Sequence, residues 1–203
     1  MSNQPSFHED FNLPEDLVDS ARQVTSFATH FIDLNGAKSF QWQKFLDEGV
    51  NKIKINADNG PGTGSDLAMD KFQSDVIRQQ NGTAPAMVDK IVAFLGAFDV
   101  TVDDDVRAVL LKNIEKTLAN PNAASHPSDV SQSGSSRILW QYRLHSAIRN
   151  PDLPTFFYSV LITIEVEANY SWWGSRDGAQ GEFSANIDGM RLIVQKGFKD
   201  PHN

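Results

Sequence analysis

The chain has 203 residues, 40% of them apolar and 22% charged, with a formal net charge of −8 and no cysteine. That length fits one domain with a substantial core, or at most two small ones. The acid excess argues against nucleic acid as a partner and against strongly anionic lipid; the missing cysteines exclude disulfides, thiolate catalysis and cysteine-based zinc sites.

The start, MSNQPSFHEDFNLPED, is polar, so a conventional signal peptide is not expected. No apolar run approaches the ~20 residues of a spanning helix. Residues 14–32 are predicted as a helix: Leu17, Ala21, Val24, Ala28 and Phe31 recur at helical spacing, Pro14 suits the first turn, and Gly36 is placed to end it. Residues 39–51 form a second, amphipathic helix with Trp42, Phe45, Leu46 and Val50 on one face. Such a face covers a sheet, makes a partner surface or lies on a membrane, and these four residues are the candidates for self-association. Residues 52–55 alternate like a short strand, residues 56–66 are a loop by composition, and residues 72–79 fit strand or helix. Thr83 and Pro85 open a helix with the stripe Met87, Ile91, Phe94, Leu95 and Phe98. Residues 103–118 follow as its hairpin partner, with Asp103, Asp104 and Asp105 at the positive end of the helix dipole.

Residues 120–136 have the composition of a linker. Beyond it the period changes from helical to two. Ile138, Trp140, Tyr142 and Leu144 share one face of a strand. Residues 155–170, TFFYSVLITIEVEANY, put Phe156, Tyr158, Val160, Ile162, Ile164 and Val166 on one face, and Ser159, Thr163, Glu165 and Glu167 on the other. At about 3.4 Å per residue this strand reaches roughly 50 Å, where ordinary strands have ~5–6 residues. A tilted membrane-spanning strand needs about 9–11. Trp172 and Trp173 follow at a turn and suit a lipid interface or a sugar face. In residues 181–199 the apolar phase switches at Gly189, as at a bulge or kink. Helices first and long strands second make an α+β domain spanning residues 1–203. It is helix-rich over 13–118, linked through 120–136, and strand-rich over 137–199.

Enzymatic signatures are missing. The glycines of residues 59–64 lack a P-loop lysine, the five histidines have no ligand spacing, and there is no GxSxG. No catalytic residue, metal or cofactor is expected. Glu165 and Glu167 are a carboxylate pair for acid–base work or, more simply, a solvated or ion-paired strand face.

Leu13-Pro14-Glu15-Asp16-Leu17, Met87-Val88-Asp89-Lys90-Ile91 before Phe94-Leu95, Phe157-Tyr158-Ser159, Trp172-Trp173-Gly174 and Lys196-Gly197-Phe198-Lys199 occur in that order over nearly the whole chain. In these stretches the sequence resembles the volvatoxin-like fungal pore-forming cardiotoxins, which are similar in turn to the bacterial Cyt-type delta-endotoxins. The resemblance implies a three-layer domain: an antiparallel sheet of long strands between helical hairpins. It implies a haemolytic cytolysin, released soluble and acting from outside on target-cell membranes, whose partners are the lipid bilayer and copies of itself. Residues 120–136 depart from the family. Gln180 and Gly181 stand where lysines are expected, and there is no long N-terminal arm of the bacterial kind, so proteolytic activation does not carry over. The membrane-inserting candidates are Ile138, Trp140, Tyr142, Leu144, Phe156, Tyr158, Val160, Ile162, Ile164 and Val166. Trp172 and Trp173 are candidates for lipid-interface or glycan contact. The alternative is a lectin or headgroup-binding module that uses these tryptophans and never inserts.

Overall fold

Residues 7–35, 39–56, 67–80, 84–100, 104, 107–108, 110–112, 132–133, 136–169 and 182–203 are described by a computed structural model of the chain. In chain order their elements are β1 (His8–Asn12), α1 (Glu15–Thr29), α2 (Trp42–Lys44), a π-helical turn (Phe45–Val50), α3 (Asn51–Asn56), β2 (Leu67–Gln80), α4 (Ala84–Gly96), β3 (Gln132–Ser133), β4 (Ser136–Arg149), β5 (Phe156–Asn169) and β6 (Glu182–Gln195).

The strands form one sheet in the order β1-β4-β5-β6-β2, with β3 on β4. Strands β4 and β5 are antiparallel: moving back along β4 from His145 to Gln141 moves forward along β5 from Ser159 to Glu165. The Lys196 amide, just past β6, donates to the Thr155 carbonyl just before β5 at 2.8 Å, so these two strands are antiparallel as well. Strand β1 departs from the expected pattern. It runs parallel to β4, with His8 opposite Leu144 and Asn12 opposite Ile148. The sheet is therefore mixed, and the domain is α+β. Five residues reading HEDFN carry too little alternation to announce an edge strand.

Two compact units divide the chain, and each long strand contributes to both. The first takes Met1–Gln73, Arg143–Ile162 and Gly189–Asn203. Its core joins Leu17, Ala21, Val24, Phe27 and Ala28 of α1 to Phe157, Leu161, Met190, Leu192 and Val194 of the sheet. Helix α1 starts where Pro14, at φ −55°, precedes Glu15 and Asp16 in the first turn, an arrangement that suits both proline geometry and the helix dipole. It ends at Thr29, and Gly36 lies outside the described residues.

A second stripe of α1 holds the last residues of the chain. Lys196 Nζ donates to Asp16 Oδ2 at 2.7 Å, and that hydrogen bond holds the Asp16 carboxyl below its ordinary pKa. The Gly197 amide donates to Ser20 Oγ at 2.9 Å and the Asp200 amide to Gln23 Oε1 at 3.0 Å. Ser26 Oγ donates to Asp200 Oδ2 at 2.6 Å, and His30 Nε2 lies 3.1 Å from the same oxygen. Positions 16, 20, 23, 26 and 30 are a helical stripe, continuing into the C-cap.

The segment after α1 differs from the expected single helix. An extra residue per turn over Phe45–Val50 brings Gly49 against the aromatic core. A Cβ there would stand 3.0 Å from the ring tips of both Phe27 and Phe31. Residues 52–55, expected as a strand, continue this segment as α3; residues 72–79, which fitted either element, belong to β2.

The second unit takes Ser74–Tyr142 and Thr163–Asp188. Its helix α4 buries Met87, Val88, Ile91, Phe94 and Leu95, and Phe98 follows from the closing turn. That turn has Asp99 at φ 62° and the Val100 amide donating to the Leu95 carbonyl at 3.3 Å, as a left-handed C-terminal cap requires. Of the predicted second helix, residues 104, 107–108 and 110–112 are described as helical; Leu110 is buried and Arg107 forms an ion pair with Asp89 of α4. Thr83 and residues 113–131 lie outside the description. Strand β6 changes its buried phase where Gly189 was expected to mark it: Ala185 and Ile187 on one side, Met190, Leu192 and Val194 on the other.

Candidate functional site

Strand β5 is sealed on both faces from Ser159 to Ile164. Val160, Ile162 and Ile164 are 0–1% exposed, and so are Phe157, Ser159 and Leu161 in the opposite phase. Thr163 is also buried. The polar phase expected from the sequence therefore begins only at Glu165, half-buried, which accepts from Gln141 Nε2 at 3.2 Å. Ser159 and Thr163 misled the alternation because a buried hydroxyl is tolerated once it is hydrogen-bonded.

Of the insertion candidates, Leu144, Val160, Ile162 and Ile164 are buried, while Tyr142, Phe156 and Tyr158 are half-buried. Tyr158 lies under the Arg191 guanidinium at 4.7 Å, and Arg191 Nε donates to Asp70 Oδ2 at 2.6 Å. The side chains of Ile138, Trp140 and Val166, and all of Trp172 and Trp173, lie outside the described residues. In the amphipathic segment Phe45 and Val50 belong to the aromatic core, and Trp42 and Leu46 pack against it. Those four residues thus cover the core in this state, and Trp42 adds an edge contact to the exposed ring of Phe72 on β2.

A buried polar seam escaped the sequence reading. His145 on β4 is 0% exposed. Its Nδ1 is 2.8 Å from Thr25 Oγ1 of α1, and its Nε2 is 2.6 Å from Ser159 Oγ of β5. Phe11 of β1 packs against the imidazole in a T-shaped arrangement, with ring centroids 4.9 Å apart. Burial pushes the His145 pKa down to about 3, so the ring is neutral, with one nitrogen donating and the other accepting. Sealed in the core, this Ser–His contact joins elements together; it does not present a nucleophile. A second buried titratable group, Asp200, sits one helical position away. Burial would raise its pKa, but hydrogen bonds from Ser26, the His202 amide and His30 outweigh that and leave it below the ordinary carboxylate value. Beside the seam an open cleft of about 550 Å³ is lined by Glu9, Arg22, Thr25, Ser26, Thr29 and His30, among others. No group of three or more potential ligands capable of holding a metal occurs among the described residues.

The long strands, the mixed sheet and the helices packed on it have known counterparts. The fold is shared with the Cyt-type delta-endotoxins. One solved delta-endotoxin superposes with a TM-score of 0.62 at 16% identity, over 97% of this chain and 86% of its own. The activated Cyt2Ba monomer of Bacillus thuringiensis subsp. israelensis gives 0.59 at 14% identity, over 94% of this chain and 98% of its own. No family model and no curated protein sequence matches the chain. The expected relation to the Cyt-type toxins is borne out in the fold.

Proposed function

We propose that the protein is a membrane-permeabilising cytolysin that acts without enzymatic chemistry. The observation that carries this reading is strand length combined with burial. Four strands have 14 residues each, beyond the ~9–11 that a tilted bilayer-spanning strand requires. In β5 the side chains of Val160, Leu161, Ile162 and Ile164 are closed off from water. No helix among the described residues is long and apolar enough to cross a membrane, so the strands are the elements suited to it. On a bilayer the helical layers move off and the stripe Tyr158, Val160, Ile162 and Ile164 meets lipid. Burying each Val or Ile is worth about 1.5–3 kcal/mol, so lipid offsets much of the lost helix contact. Strand edges in hydrocarbon must be paired, which requires several copies to close a sheet.

The absence of cysteine permits a direct test. One engineered disulfide, its pair found by screening, would tether α4 to β5. Dye release from phosphatidylcholine vesicles, with and without sterol, should be lost on oxidation and return on reduction. Equal leakage in both states would refute the lifting step. Vesicle binding with no leakage in either state would favour the headgroup-binding module.

A further inference from the structure

Two neighbouring polar attachments of helix α1 end on titratable groups. Thr25 meets His145, and the next residue, Ser26, meets Asp200. Against the imidazole stand Thr25 from α1, Ser159 from β5 and Phe11 from β1, all uncharged. The charged groups on this face are Glu9, opposite His145 in the β1–β4 register, and Arg22 of α1, whose exposed side chains stand 4.0 Å apart. Along the helix lie Asp200, His30 and His202, the two imidazoles with centroids 4.9 Å apart. Burial is the cause of the depressed basicity of His145, with no charge opposing or assisting it. A proton on this ring would be a buried cation facing two hydroxyls and an aromatic ring. Thr25 is one of the residues that line the open cleft.

We propose that α1 is an acid-released layer: proton uptake at His145 parts α1 from β4 and β5 and uncovers the Phe157, Ser159 and Leu161 face of β5, opposite the stripe of Val160, Ile162 and Ile164. The proton comes from solvent in the cleft, and the imidazolium is stabilised by the water that enters as Thr25 withdraws. The sign follows from linkage. The open form binds the proton near the ordinary histidine value, 6.5, and the closed form only near 3. Between those limits each unit of acidification therefore favours opening about tenfold. Asp200 acts later. Its closed form is the more acidic, so its hold on Ser26 and His30 weakens only below the ordinary carboxylate value of 3.8. The link from release to bilayer damage rests on the cytolysin reading above; the release itself does not.

Hydrogen exchange of the full chain without lipid, from pH 7 to pH 4.5, tests the release. After correction for intrinsic rates, opening of α1 should rise about tenfold per pH unit below 6.5, ahead of β5 and β6. His145→Gln, which keeps a donor and an acceptor but cannot charge, should abolish the slope. Asp200→Asn should leave the slope between pH 6.5 and 4.5 in place. Parallel loss of protection in α1 and β5, or an unchanged slope in His145→Gln, overturns the proposal. Should that variant not fold, NMR titration of the wild-type imidazole decides: a His145 ring that charges near 6.5 while α1 stays protected overturns it. Dye release from phosphatidylcholine vesicles at pH 7 and pH 5 separates the two readings. Opening of α1 without leakage at either pH upholds the release and sinks the cytolysin. Equal leakage at both pH values with α1 closed does the reverse.

Discussion

Phe157 and Phe156 are neighbours with different surroundings. Phe157 is 0% exposed and belongs to the cluster that includes Phe27 and Phe198, whereas Phe156 is half-buried. Replacing Phe157 by Ala removes a ring from a closed core and should cost about 3–5 kcal/mol in urea denaturation; Phe156→Ala should cost clearly less. Equal losses would show that the second face of β5 is sealed as tightly as the first. His145 belongs to the same scale. Nothing in its neighbours, Leu144 and Ser146, marks it as a buried junction. Its partners lie 120 and 14 positions away, at Thr25 and Ser159. A polar residue inside a strand pattern is legible only when its partner is local, and here one is a helix away.

Periodicity made the long elements legible. The alternation over residues 155–170 marks β5, and the i, i+3, i+4 stripes mark α1 and α4 because one face of each is apolar. What escaped is what tertiary contact decides. Strand β1 exists because β4 offers it an edge. Glycine stands at position 49 of the π-helical turn because two aromatic rings occupy the space a Cβ there would need. Gly49→Ala should accordingly destabilise the fold by about 1–3 kcal/mol, seen as a lower denaturation midpoint with unchanged slope. The candidate site was legible in part. The stripe Val160, Ile162, Ile164 was visible, but the burial of Ser159 and Thr163 beneath the other face was not, since hydroxyls count as polar in any alternation.

At the scale of the molecule, a net charge of −8 keeps copies apart in solution and makes first contact with an anionic bilayer unfavourable. The edge strand β2 opposes that, presenting Met69, Phe72 and Val76 about half-exposed. The strap formed by the last residues on α1 adds a constraint of timing. Ser20 and Gln23 bind partners 177 positions further on. At ~5–20 residues per second, α1 leaves the ribosome roughly 10–35 s before those partners exist. Ribosome-stalled chains ending before Lys196 should lose α1 to brief proteolysis where the full chain resists; equal resistance would show that the strap is dispensable. A cell making this protein thus carries α1 without its strap for many seconds on every nascent chain, an interval set by translation speed and not by the finished fold.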